Sequence, residues 1–237
     1  AAAYTDVDGA ESDRDRTYAV NATGPELLAR RTAATGARLI HVSTDYVFGP
    51  DAGRQTPFEP ADLSAARAPA TVYGASKLAG EHAVLAADPA AVIVRTAWVF
   101  TGGPESADFV GTMRRLEAQR EQLQVVDDQL GSPTYAVDLA AALWELALLP
   151  ATQAPTGVLH AANAGQATWY QLAQAVFTGI GADPARIRPC TTDEFPRPAP
   201  RPNYSVLSGS SWAAAGLTPL RPWREALAAA LAEQRVG

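Results

Sequence analysis

Arg38-Leu39-Ile40-His41-Val42-Ser43-Thr44 is a short apolar run rich in β-branched residues, and it leads straight into Asp45-Tyr46. That composition predicts a buried strand. A second run of the same kind, Ala91-Val92-Ile93-Val94-Arg95-Thr96, follows a helix-forming stretch over 72–87 that Asp88-Pro89 ends. Between the first strand and that helix, residues 49–70 scatter proline and glycine among polar residues and predict a long loop, the kind that serves as a lid or binding segment. Upstream, residues 12–35 predict a helix with Ser12 as N-cap and Gly36 as its stop. Downstream the alternation continues: helix near 106–121, strand 123–127, helix 135–149, strand 157–162 and helix 168–180. Residues 183–205 are proline-rich and read as irregular, and an amphipathic helix near 222–234 follows. Strands alternating with helices imply parallel pairing in an α/β fold.

The composition narrows the class of function. With 47% hydrophobic and 19% charged residues, the 237-residue chain can bury a substantial core as one large or two small domains. A net charge of −6 argues against nucleic acid or an anionic membrane as the main partner. No apolar run approaches the roughly 20 residues that span a bilayer, and no signal peptide is visible. Cys190 is the single cysteine, which excludes an intrachain disulfide and a cysteine-based metal cluster. His41, His82 and His160 show no ligand spacing. Together these features suggest a reducing cytoplasm and a small-molecule partner.

The chemistry concentrates at the predicted strand ends, where open parallel sheets bind ligands. The first strand ends in Ser43-Thr44-Asp45-Tyr46, and the second runs through Arg95-Thr96-Ala97 to Trp98. The helix between them carries Tyr73 and Lys77, one turn apart on one face. Lys77 is the only lysine among 19 basic residues, so an ammonium is kept where arginine serves elsewhere. An ammonium beside a phenol is expected to lower the phenol's pKa from its ordinary value of about 10. A hydroxyl donor, an activated tyrosine and a nearby cation form the set required to reduce a carbonyl. Other residues read as structural. His41 is expected as a packed core histidine, Cys190 as an unactivated thiol, and Trp144, Trp212 and Trp223 as core. Arg114-Arg115 reads as a solvated helix face, and Trp169-Tyr170 opens a helix near the expected substrate side.

These residues sit within longer strings. They are Ala2-Ala3-Tyr4-Thr5 with Asp8 and Glu11, Val20-Asn21-Ala22, Ser43-Thr44-Asp45-Tyr46-Val47-Phe48 and Tyr73-Gly74-x-x-Lys77-Leu78-Ala79-Gly80-Glu81. Val94-Arg95-Thr96-x-Trp98-Val99, Asp128-Gln129-x-Gly131-x-Pro133-Thr134, Thr168-Trp169-Tyr170 and Arg201-Pro202-x-x-Ser205 continue them. In this collinear set, which covers nearly the whole chain, the sequence resembles the extended short-chain dehydrogenases/reductases and, more narrowly, the dTDP-4-dehydrorhamnose reductases. The resemblance implies NADPH- or NADH-dependent reduction of the C4 keto group of a dTDP-bound 6-deoxy-4-keto sugar. The product would be dTDP-L-rhamnose, a precursor of cell-surface polysaccharide. Tyr73 would be the proton donor, Lys77 would bind the nicotinamide ribose, and Thr44 would position the reacting oxygen. Ala3, Tyr4 and Thr5 would line the cofactor, Asp45 and Trp98 would contact the sugar nucleotide, and Arg201 its pyrophosphate. The resemblance also implies a possible homodimer, and it allows Mg2+, although no acidic cluster marks a metal site.

The implied fold is a Rossmann-like parallel sheet with its N-terminal strands missing and a smaller C-terminal substrate-binding α/β region. Residues 1–100 would be the C-terminal part of the NAD(P)-binding domain. Residues 101–237 would be mainly substrate-binding, with segments near 123–165 returning to the Rossmann sheet. The Gly-rich turn that binds a cofactor pyrophosphate is not in the sequence, which begins Ala1-Ala2-Ala3 with Met113 as its sole methionine. The expectation is a remainder of a longer protein that exposes a sheet edge and binds NADPH poorly. Two further readings are a nucleotide-sugar epimerase or dehydratase of the same superfamily, and a non-catalytic regulatory subunit related to the β subunit of methionine adenosyltransferase.

Overall fold

The structure, a computed structural model, describes residues 2–51, 53–64 and 68–233. Its centre is a three-stranded parallel sheet in the order β1 (Ile40–Thr44), β2 (Val92–Thr96) and β7 (Gly157–His160), with Thr44 beside Thr96 and Arg95 beside His160. The alternation of side chains along β2 divides the core into two faces. Val92 and Val94 point to one face, where α6 (Ala136–Leu148) lays Leu139, Ala142 and Leu146 against them and Trp212 of α8 (Ser210–Ala214) joins. Ile93 points to the other, against Ala29 of α3 (Gly24–Thr35) and Val84 of α4 (Val72–Ala87). The α/β class is thus as expected, and β1 lies at one end of the sheet among the described residues.

The helix expected over 12–35 is interrupted. α1 (Val7–Ala10) and α2 (Arg14–Tyr18) are separate, and a π-helical turn at Ala19–Thr23 precedes α3. The extra residue of a π turn turns a side chain out of the ordinary helical register, and here Asn21 is the buried residue of that turn. Gly36 ends α3 in the left-handed conformation (φ 68°), as its position predicted.

A second layer is built from α5 (Phe109–Glu117), β4 (Leu123–Val126), α7 (Trp169–Ile180), β9 (Ile187–Cys190) and α9 (Trp223–Glu233). Its core holds Met113, Phe177, Ile187, Trp223 and Leu227. β4 pairs in parallel with β9 and not with the central sheet. Of the segments near 123–165, β7 lies in the central sheet and α6 packs on its face among the described residues. β9 itself lies in the stretch that read as irregular because of Pro189. In a two-stranded pair each strand is an edge, and an edge position tolerates the missing N–H. Short ladders tie the layers together: β3 (Val99–Phe100) with β6 (Thr134–Tyr135), and β5 (Leu130–Gly131) with β8 (Ala167–Thr168).

Several sequence expectations are corrected. Trp144 is 67% exposed, because α6 buries Leu139, Ala142 and Leu146 and places Trp144 on its opposite side. Arg114 and Arg115 are not a solvated face: they donate to the carbonyls of Gly102, Pro104 and Ser106 and hold that loop onto α5. The long loop expected over 49–70 is anchored at Phe58, which is fully buried, stacks on Phe48 and pairs through its backbone with Val206 and Ser208. Residues 52 and 65–67 of that loop lie outside the described residues.

Candidate active site

α4 is fastened at three points, and the fastening places Tyr73 and Lys77. Thr71 caps its N-terminus, its hydroxyl accepting from the Gly74 N–H at 2.9 Å. A Cβ on Gly74 would collide with the Tyr46 carbonyl, and one on Gly80 with the Asn21 carbonyl. Both glycines therefore permit close approach, the first to the end of β1 and the second to the π turn. Deeper in, Glu81 accepts from Ser43 Oγ of β1 at 2.5 Å and from Arg95 Nε and Nη2 of β2 at 2.9 and 2.7 Å. Both members of this ion pair are buried.

Thr44, Asp45, Tyr73 and Lys77 meet at this end of the sheet. The Thr44 hydroxyl hydrogen-bonds Asp45 Oδ1 at 3.0 Å, receives the Tyr46 N–H at 3.2 Å and also reaches the Tyr73 phenol. Tyr46 packs edge-on against Tyr73, ring centres 5.6 Å apart. Lys77 Nζ donates to the Val42 carbonyl of β1 at 2.7 Å.

The electrostatics differ from the sequence expectation. Burial pushes the Tyr73 phenol up to about 12; the Thr44 hydrogen bond works against this and the Asp45 charge adds to it. No lowering by Lys77 offsets this rise, and its ammonium donates to the Val42 carbonyl of β1. Burial brings Lys77 itself down to about 8, with Glu81 opposing. Burial lifts Asp45 to about 6 against its hydrogen bonds, and also raises Tyr46. Ser205 lies beside Asp45 without ordinary hydrogen-bond geometry, so Asp45 Oδ2 and Ser205 Oγ are both buried and unpaired. His41 is half-buried on β1, with Nε2 unpaired and its pKa lowered to about 4 by burial and then by Lys77.

The other expected site residues fall into two groups. Tyr4 is held next to α4: its N–H donates to Asn21 Oδ1 at 2.9 Å, its carbonyl accepts from Asn21 Nδ2 at 3.1 Å, and the same Nδ2 donates to Ser76 Oγ at 3.0 Å. Ala3 and Thr5 flank it and are exposed. Trp98 and Arg201 stand with the second layer. Trp98, in a left-handed conformation (φ 49°), stacks on Trp169 at 3.5 Å. Arg201 pairs with Asp8 of α1 at 3.0 Å. Beside Tyr46 opens a cavity of about 380 Å3, walled by Phe109, Met113, Trp169 and Phe195 and edged by Gln129, Arg197 and Arg201. An apolar, aromatic wall with a few polar groups suits a small organic ligand, and two guanidiniums at its edge suit an anion.

Asn21, Tyr46, Glu81 and Gln129 were visible only as members of quoted strings, and Arg197 carried no signal. Gln129 accepts from Trp169 Nε1 at 3.1 Å, a contact no local pattern encodes. Among the described residues, no three acidic, histidine or cysteine side chains are grouped to hold a metal ion.

Comparison with known proteins gives a consistent picture. A family described as RmlD substrate binding domain matches residues 1–236. A Mycobacterium tuberculosis protein named dTDP-4-dehydrorhamnose reductase is 60% identical over 233 residues, 98% of this chain and 74% of that protein. A Streptomyces niveus protein named dTDP-4-keto-6-deoxy-D-glucose reductase is 42% identical, over 95% of this chain and 75% of that one. The crystal structure of dTDP-4-dehydrorhamnose reductase from Bacillus anthracis in complex with NADP superposes with a TM-score of 0.87 at 36% identity, covering 98% of this chain and 78% of that one.

Proposed function

Because the chain belongs to the RmlD substrate-binding-domain family, we propose that it reduces the C4 keto group of dTDP-4-dehydrorhamnose to the hydroxyl of dTDP-L-rhamnose with NADPH. The observation that carries this reading is the meeting of Thr44, Tyr73 and Lys77 at one strand end, beside a cavity with aromatic walls and arginines at its edge. That catalytic set favours a reductase over a non-catalytic subunit, and the close relatives favour it over an epimerase or dehydratase.

The site has the groups a nicotinamide cofactor needs. Lys77 is 4% exposed, yet among the described residues its ammonium has one acceptor, Val42 O, and two further N–H groups suited to the diol of a ribose. Asn21 holds the Tyr4 backbone next to the same helix. When bound, the cofactor supplies hydride to the carbonyl carbon. Tyr73 gives its phenolic proton to the carbonyl oxygen as negative charge builds there. A phenol raised to about 12 keeps that proton at neutral pH until the oxygen becomes the stronger base. Thr44, held by Asp45, presents its hydroxyl to the same oxygen. Trp98, Trp169 and Gln129 shape the side from which the sugar nucleotide enters, and Arg201 faces its diphosphate. The pairing of two copies that the family resemblance implies is part of the proposal, and analytical ultracentrifugation measures it.

The test is NADPH oxidation with dTDP-4-dehydrorhamnose as substrate. Tyr73→Phe is expected to lower kcat by about 10²–10⁴-fold, with thermal stability retained. Lys77→Arg is expected to lose most activity, because a planar fork cannot occupy the narrow site where one compact ammonium reaches Val42 O. Unchanged turnover in Tyr73→Phe refutes its role as the acid, and no turnover by the unaltered protein at an NADPH concentration shown to occupy the site refutes the reaction.

A further inference from the structure

Asp8 lies on α1, 193 positions before the arginine it binds. Its carboxylate spans the end of the Arg201 guanidinium, with Oδ1 3.0 Å from Nη1 and Oδ2 3.0 Å from Nη2. The same carboxylate accepts the Ala199 N–H at 3.1 Å and lies 3.6 Å from Arg197 Nη1. Arg201 Nη1 donates in turn to the Ala199 carbonyl at 2.8 Å. Burial alone would raise the Asp8 pKa; Arg201 and the Ala199 N–H outweigh it and hold the carboxylate ionised.

A guanidinium carries five N–H donors and two edges that can each grip an anion in a two-pronged way. Asp8 and Ala199 together occupy the Nη1–Nη2 end. Among the described residues, Nε and the outer proton of Nη2, which form the other edge, have no acceptor. Arg201 also borders the cavity beside Tyr46. A free arginine side chain has several rotatable bonds, and fixing it costs entropy at the moment a ligand arrives. The contacts to Asp8 meet that cost on folding.

The geometry points to Asp8 as the positioning residue for diphosphate recognition: by filling one edge of Arg201, it presents the other to the diphosphate of a nucleoside diphosphate in the cavity beside Tyr46. This rests on the reading of the cavity as a sugar-nucleotide site. It goes beyond that reading by making affinity for the diphosphate depend on a residue that touches no part of the ligand. It also joins the Tyr4 segment, four residues before Asp8, to the 197–201 segment at the cavity.

The experiment is calorimetric titration of the full chain with dTDP and, separately, with thymidine, which lacks the phosphates. Variants are Asp8→Asn, Arg201→Ala and the two combined. Asp8→Asn keeps the shape of the side chain and removes its charge; it is expected to weaken dTDP binding about five- to tenfold and to leave thymidine binding unchanged. Once Arg201 is alanine, Asp8→Asn is expected to change dTDP binding no further, since it acts through that arginine. Equal weakening of thymidine overturns the proposal in favour of a general role in shaping the cavity. Tighter dTDP binding in Asp8→Asn overturns it by making Asp8 a competitor of the phosphates, and a full Asp8 effect in the Arg201→Ala background also overturns it. If neither ligand binds the unaltered chain, the sugar-nucleotide reading fails and takes this inference with it; if both bind and Asp8→Asn alters neither, this inference alone fails.

Discussion

Glu81 sits one turn beyond Lys77 and two beyond Tyr73, and its replacement by glutamine tests what holds the catalytic helix. The carboxylate receives three hydrogen bonds, from Ser43 Oγ at 2.5 Å and from Arg95 Nε and Nη2 at 2.9 and 2.7 Å. Glu81 and Arg95 are each 1% exposed, so water cannot replace a lost partner. Glutamine keeps one acceptor oxygen but leaves the Arg95 charge uncompensated in the core. Breaking one side of such a pair costs about 3–5 kcal/mol. At this chain length each kcal/mol lowers the melting temperature by about 2–4 °C, so Glu81→Gln is expected to melt about 6–20 °C lower. Replacing both charges, as in Glu81→Leu with Arg95→Met, removes the cost of desolvating the pair as well as its attraction, and is expected to lose far less than the two single changes added together. Circular dichroism melts and urea titrations on the unaltered protein, Glu81→Gln, Glu81→Leu, Arg95→Met and the double variant measure this. A loss under about 1 kcal/mol in Glu81→Gln, or strict additivity in the cycle, would refute the idea that this pair fastens α4 to β1 and β2.

Gly131→Ala is expected to raise KM for the sugar nucleotide more than it lowers kcat, and to cost about 1–3 kcal/mol, because a Cβ at that position would run into the indole of Trp98; unchanged kinetics would remove the Trp98–Trp169 stack from the substrate site. Acidification supplies another test. His160 bonds Phe58 O through Nδ1 at 3.0 Å, which places the proton there and leaves Nε2 facing Arg95 Nη1 at 3.4 Å. Burial and then Arg95 lower its pKa to about 3, while burial and then Lys77 lower that of His41 to about 4. Both folded values lie below the unfolded 6.5, so unfolding takes up protons. Stability is therefore full above pH 6.5 and declines as pH falls toward 4 and then 3. Asp45, raised to about 6, acts in the opposite direction between pH 6 and its ordinary 3.8 and returns part of the loss. The melting temperature of the unaltered protein is expected to fall more steeply below pH 6.5 than that of His160→Gln; equal slopes would refute the assignment.

The parts of this protein legible in its sequence are those built from neighbouring residues. The β-branched runs at 40–44 and 92–96, the Gly36 stop and the Tyr73–Lys77 spacing are local, because strand and helix periodicity repeats every two to four residues. The pairing of β4 was not legible. Its partner is Ile187–Cys190, more than sixty residues away in a proline-rich stretch, and hydrophobicity alone does not say which strand an apolar run will join. Trp144 shows the same limit from the other side: a tryptophan on a helix is expected inside, but α6 had already filled its buried face with leucine and alanine.

The candidate site divides in the same way. Sequence alone determined its chemical inventory and the local order of Thr44, Asp45, Tyr73 and Lys77, since short motifs carry residue types at fixed helical or strand spacing. Only the tertiary structure decided how those groups are charged and aimed. Burial keeps the tyrosine a protonated acid, Lys77 turns to a β1 carbonyl, and Arg201 is held by Asp8 from the opposite end of the chain. A pKa depends on what surrounds a group in space, and a guanidinium's direction on which acceptor it meets. Both are set when distant segments pack, and no spacing along the chain records them.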